Sequence, residues 1–123
     1  MTKTILLVED EAEQSALVKK SLENTGYRVL LAQTGQEALN LTQEELPDLI
    51  LLDIIMPEMD GLIFLKKFKE RPGANAVPVI VFSNLNSKQE LEQAMESGAS
   101  DYLIKVDWSI KDLKEKIHQF LGE

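Results

Sequence analysis

The sequence predicts an α/β fold in which five parallel strands carry helices on both faces. Three observations lead there. Short apolar runs alternate with longer segments of helical period through the 123 residues. Several runs are apolar at successive positions, namely Ile5-Leu6-Leu7-Val8, Leu49-Ile50-Leu51-Leu52 and Val79-Ile80-Val81-Phe82. Such runs need burial on both faces, as in the central strands of a parallel sheet. No linker, low-complexity tract or repeat divides the chain, so a single domain over residues 1–123 is expected.

The strands are expected at Thr4 to Val8, Tyr27 to Ala32, Asp48 to Leu52, Val77 to Phe82 and Asp101 to Ile104. The first helix places Leu17, Val18 and Leu22 on one side and stops at Gly26. The second starts at Thr34, where Glu37 completes a capping box, and carries Ala38 and Leu41. The third follows Asp60-Gly61 and presents Leu62, Leu65 and Phe68. The fourth begins at Ser87 with Glu90 as a second capping box, presents Leu91, Ala94 and Met95, and ends at Gly98. The fifth presents Ile110, Leu113, Ile117 and Phe120. Gly26 and Gly98 stand where a helix end needs a left-handed residue.

Composition narrows the function. Thirteen basic and 21 acidic residues leave a net charge of −8. Nucleic-acid binding needs a basic face, so none is expected. No apolar stretch approaches the length of a membrane span, and the apolar run ending before Glu9 is too short for a signal peptide. A cytoplasmic location is expected. Cysteine is absent, which excludes disulfides and thiolate metal sites.

In open parallel sheets the binding site lies beyond the carboxyl ends of the strands. Here those ends read Val8-Glu9-Asp10-Glu11, Leu52-Asp53, Phe82-Ser83-Asn84 and Ile104-Lys105. Three acids, a hydroxyl and a lysine should therefore meet at one edge. Taken singly, most have ordinary readings: Asp10 as a helix cap with Glu13, Glu9 as a solvated loop acid, Ser83 as a loop serine, Lys105 as a surface lysine. Asp53 is different, because it ends a buried apolar run where an unpaired carboxylate is costly. Together the acids suit a hard cation such as Mg²⁺, and Lys105 suits their counter-charge. A carboxylate in such a setting can accept a phosphoryl group. The cation, the ammonium and a hydroxyl or backbone N–H would neutralise its three oxygens.

Val8-Glu9-Asp10-Glu11, the stretch from Asp48 through Asp53, Met56-Pro57 and Asp60-Gly61, then Ser83, and Gly98-Ala99-Ser100-Asp101-Tyr102-Leu103-Ile104-Lys105 together resemble the receiver domains of two-component response regulators. The resemblance covers essentially the whole chain. It implies the flavodoxin-like receiver fold with strand order 2-1-3-4-5, as a single receiver domain with no effector domain in this chain. It implies Asp53 as phosphoacceptor. Asp10 would bind Mg²⁺ directly and Glu9 through water, with the Ile55 backbone carbonyl completing the protein ligands. Lys105 would contact the phosphoryl group, Ser83 would move to hydrogen-bond it, and Tyr102 would rotate inward. The donor would be a histidine kinase, a phosphotransfer protein or a small phosphodonor. The face of the fourth helix, fifth strand and fifth helix would then bind an effector or a second copy. Such a protein catalyses only its own phosphorylation and dephosphorylation.

Five positions stand out against the family's common pattern. Glu9 stands for the usual Asp. Asn84 follows Ser83 where a small residue is usual, and either crowds the phosphoryl approach or adds a hydrogen bond. Ile55 and Leu85, both apolar, are expected to flank Asp53 and hinder an attacking water, prolonging the phosphorylated state. Val106 replaces the proline that usually follows the lysine, often in a cis bond. A non-proline cis bond costs about 2.5–4 kcal/mol, so the loop either bears that cost or turns differently.

Competing readings are weaker. A haloacid-dehalogenase-like phosphatase would want an acid where Ile55 stands. A flavin or nucleotide site would want a Gly/Ser/Thr-rich loop after the first strand, where Glu9-Asp10-Glu11 repels phosphate. The serious alternative is a phosphorylation-independent receiver-like interaction module, which Asn84 and Val106 favour and the intact Asp10, Asp53, Ser83 and Lys105 oppose. His118, the single histidine, is expected at the surface of the last helix, and Trp108, the single tryptophan, packed on the Lys105 loop.

Overall fold

The computed structural model describes residues 2–54, 61–85 and 87–122. Five parallel strands form one sheet in the order β2-β1-β3-β4-β5, with β1 at Thr4–Val8, β2 at Arg28–Ala32, β3 at Leu49–Leu52, β4 at Val79–Ser83 and β5 at Asp101–Ile104. Helices α1 (Ala12–Asn24), α2 (Gly35–Glu44), α3 (Gly61–Lys69), α4 (Lys88–Glu96) and α5 (Ile110–Leu121) connect and follow them. The expected fold class, order and helix number all hold. Strand boundaries move by a residue or two. Pro78, which offers no N–H to a ladder, delays β4 to Val79.

The doubly buried runs divide their side chains by parity. Leu6, Val8, Ile50, Leu52, Val79 and Val81 pack with Ala38, Phe64, Phe68 and Ala94 of α2, α3 and α4. Ile5, Leu7, Leu49, Leu51, Ile80 and Leu103 pack with Val18 and Leu22 of α1 and with Leu113 and Ile117 of α5. This is a two-sided core under one sheet, which is why the strands read as continuous apolar runs.

Both predicted capping boxes form their N-cap half. Thr34 Oγ1 accepts from the Glu37 N–H at 3.0 Å, and Ser87 Oγ from the Glu90 N–H at 3.3 Å. Gly26 and Gly98 have φ of 107° and 112°, the positive range expected at these helix ends.

Several helix residues expected to be apolar contacts lie outside the core. Leu17 is 62% exposed, and Leu91, Met95, Ile110 and Phe120 are also exposed. Leu41 and Leu62 are partly buried, while Leu39, Thr42 and Phe64 take the buried places beside them. The apolar stripe is narrower than the pattern suggested, because each helix touches the sheet along one line and has no second layer outside it.

Candidate functional site

Strand register builds the site. Val8 lies opposite Leu52, and the Asp53 N–H donates to the Val8 carbonyl at 3.0 Å. Glu9 and Asp53 therefore leave the sheet side by side. By strand alternation both continue the Ile5/Leu7 and Leu49/Leu51 series, which faces α1 and α5. Lys105 continues the same face beyond Leu103.

The three side chains meet. Lys105 Nζ lies 2.5 Å from Glu9 Oε2 and 3.1 Å from Asp53 Oδ2, and it also donates to Gln14 Oε1 at 3.0 Å. Glu9 is 5% exposed and Asp53 8%. Oxygen atoms of Glu9, Asp10 and Asp53 fall within 4.8 Å of one another. An all-oxygen, all-carboxylate donor set of this kind suits a hard divalent cation. With Glu11, Gln14, Ser83 and Asn84, these residues line a pocket of about 240 Å³.

The electrostatics follow from burial. Loss of solvent pushes the Glu9 carboxyl above its ordinary range, and the neighbouring Asp53 charge adds to this, while Lys105 opposes it. Burial disfavours the charge on Lys105, but Glu9 and Asp53 outweigh it and hold the ammonium above the ordinary lysine range. Three clustered carboxylates facing the Lys105 ammonium leave excess negative charge, which a divalent cation would balance.

Asp10 is exposed and is not the cap of α1: Glu11 holds the N-cap position and makes no side-chain cap hydrogen bond. Its carboxylate thus stays with the acid cluster. Glu9 is buried rather than solvated, because the register that ends β1 turns its side chain toward Lys105. Ser83 is fully buried, and its Oγ accepts from the Leu85 N–H at 3.2 Å. Tyr102 is half-buried, and its hydroxyl donates to the Leu85 carbonyl. Ile55, expected to offer a carbonyl ligand, and the Met56–Asp60 part of the motif lie outside the described residues.

Gly61 abuts the backbone of Asp53 and Ile54. A Cβ there would fall 2.4 Å from the Asp53 carbonyl oxygen and 2.4 Å from Ile54 Cα. Only glycine lets α3 start against the backbone that carries Asp53.

The two most unusual departures resolve together. The Lys105–Val106 peptide is trans, since no described peptide bond is cis, and the chain turns through a 3₁₀ segment at Lys105–Asp107. Asn84 Oδ1 accepts from the Val106 N–H at 3.0 Å. The loop thus turns differently and avoids a cis bond, and Asn84 adds a hydrogen bond. Leu85 is not among the described pocket-lining residues. It is partly buried and packs against the core that contains Leu52, Ile54 and Phe64. Gln14 was not expected at the site, and no local pattern marks it, since its partner Lys105 is 91 residues away. His118 is exposed in the last turn of α5, and Trp108 packs partly buried beside the Lys105 turn, with Lys116 Nζ 5.9 Å from its ring centroid.

Comparison with known proteins agrees with this fold. Residues 5–118 match the family described as the response regulator receiver domain. The chain is 38% identical over 105 residues to the response regulator PleD of Caulobacter vibrioides, covering 85% of this chain and 23% of that protein. The chain therefore spans under a quarter of PleD's length. It is 34% identical over 123 residues to the polar-differentiation response regulator DivK of Brucella ovis, covering 100% of this chain and 99% of DivK. Among solved structures, a CheY-like receiver domain protein from Methanospirillum hungatei superposes with a TM-score of 0.90 at 33% identity, covering 99% of this chain and 95% of that one.

Proposed function

The chain belongs to the response regulator receiver domain family, and on that premise we propose that Asp53 is its phosphoacceptor, with Glu9, Asp10 and Lys105 preparing the site. Phosphorylation-dependent switching is the general role of this family. The observation that carries the residue assignment is the Lys105 ammonium lying on both Glu9 and Asp53, beside Asp10, at the strand ends.

An Asp53 carboxylate oxygen forms the bond to phosphorus. The bond between phosphorus and the donor nitrogen or oxygen breaks, and its electron pair leaves with the donor group. Glu9, Asp10 and Asp53 would hold Mg²⁺, with the Ile55 carbonyl as a fourth protein ligand. When bound, the cation supplies positive charge against the phosphoryl oxygens. Lys105 shifts its ammonium from the carboxylates to a phosphoryl oxygen. Ser83, now accepting from the Leu85 N–H, rotates its hydroxyl to donate to another. That loosens the Leu85 segment whose carbonyl holds the Tyr102 hydroxyl, so Tyr102 is released to turn inward.

The response is read on α4, β5 and α5, where Leu91, Met95 and Phe120 are exposed. An effector or a second copy would bind there. The donor is a histidine kinase, a phosphotransfer protein or a small phosphodonor. The chain acts as one receiver domain, its chemistry confined to its own Asp53. Among the described residues no helix is long and apolar enough to cross a membrane, and we place the domain in the cytoplasm.

Intact mass after incubation with acetyl phosphate and Mg²⁺ tests this reading. A gain of one phosphoryl group, absent in Asp53→Asn and in the presence of a chelator, is expected. A folded protein that gains nothing would instead point to the phosphorylation-independent interaction module.

A further inference from the structure

We propose that Asn84 is a positioning residue that holds the Lys105 turn in place, so that the ammonium rests on the acid cluster. This rests on the proposed function of the same site. The starting observation is the 3.0 Å hydrogen bond from the Val106 N–H to Asn84 Oδ1.

The first N–H groups of any helical turn have no partner inside it. In the 3₁₀ turn Lys105–Asp107, the N-cap residue Ile104 supplies no side-chain hydrogen bond. Val106 is 78% exposed, so packing does not anchor the turn at that residue. Within the turn, the Trp108 N–H donates to the Lys105 carbonyl at 3.3 Å, which closes the turn on itself without attaching it to β4. The turn runs on directly from β5, and Asn84 ties it in addition to the end of β4. Its backbone follows Ser83 directly, and it lines the same pocket as Glu9, Asp53 and Lys105.

Lys105 reaches three acceptors with one long side chain. A lysine stem has several free rotations, so its head stays on target only if its backbone is fixed. Asn84 thus acts through Val106 on Lys105, and not on the phosphoryl group. The same bond joins the Ser83 strand end to the Lys105 turn, so the two groups expected to grip a phosphoryl group move as one unit.

Two measurements on the full chain test this: the rate of phosphorylation by acetyl phosphate with Mg²⁺, read by intact mass, and the exchange rate of the Val106 amide, read by NMR. Asn84 is exposed, so Asn84→Ala is expected to fold and to melt only a few degrees below the wild type. Its phosphorylation is expected to slow about fivefold, and its Val106 amide to exchange faster by a similar factor, as for the loss of one hydrogen bond. Asn84→Asp keeps an acceptor at the same atom and is expected to restore Val106 protection. A phosphorylated wild type with an equally fast Asn84→Ala variant, or unchanged Val106 exchange in that variant, would overturn this inference alone. A wild type that takes no phosphoryl group would overturn it together with the proposed function.

Discussion

Lys105 Nζ lies closer to Glu9 than to Asp53, 2.5 Å against 3.1 Å. The lysine is shared, and its shorter contact is to the carboxylate that would not carry the phosphoryl group. Phosphorylation of Asp53 would therefore compete with Glu9 for the ammonium, and that competition would couple charge at Asp53 to the ends of β1 and β5.

Removing the lysine exposes this arrangement. Lys105→Met leaves Glu9 and Asp53 buried without their cation, and at neutral pH we expect a loss of about 2 kcal/mol, toward the low side for a buried pair because the pocket opens to solvent. Glu9 titrates above its ordinary value of 4.5 in the fold, so the native state holds that proton more tightly than the unfolded chain. Its ionisation costs stability as pH rises through that window, and the cost grows without Lys105. In the wild type, Lys105 is raised above 10.5, so its own contribution is complete below that value and lost as pH climbs through the raised one. The wild-type-minus-variant difference, from urea unfolding across pH, should be largest from neutral to mildly alkaline pH and shrink toward pH 4.5. A pH-independent difference would contradict this.

The acid cluster should be strained by its own charge when no cation is present. Asp10→Asn removes one of three carboxylates within 4.8 Å of one another. Without metal, the variant is expected to be more stable than wild type by about 0.5–1 kcal/mol. Added Mg²⁺ should raise the melting temperature of the wild type and leave the variant's nearly unmoved. Thermal melts with and without Mg²⁺ decide it, and an equal Mg²⁺ shift in both proteins would remove Asp10 from the ligand set.

Gly61 should tolerate no side chain. Gly61→Ala puts a methyl group 2.4 Å from the Asp53 carbonyl oxygen, against backbone that cannot swing away. A cost of about 3 kcal/mol is expected, with slower phosphorylation of Asp53 from its displaced backbone. Chemical denaturation and the acetyl phosphate assay measure the two effects.

The outward turn of Leu17 separates periodicity from burial. Leu17→Ala should change stability by less than about 0.5 kcal/mol. Leu22→Ala, on the same helix but fully buried, should cost about 3 kcal/mol. Equal costs in paired urea titrations would show that Leu17 is covered in solution, as by a second copy.

The sequence by itself determined the five strands, the capped starts of α2 and α4, the glycine ends of α1 and α4, and the residues at the strand ends, Glu9, Asp10, Asp53, Ser83 and Lys105. These are local signals: an apolar run, a cap three residues ahead of its partner, a glycine just past the end of a helical pattern. Tertiary structure alone decided that Glu9 is buried on Lys105, that Gln14 shares that lysine, that Leu17 and Met95 face outward, and that Asn84 secures a trans turn at Val106. The contacts among these join residues 96, 91 and 22 positions apart. Periodicity shows which side of an element is apolar but not how much of it a neighbour covers. A side-chain acceptor meets a distant N–H only where the sheet register brings their loops together.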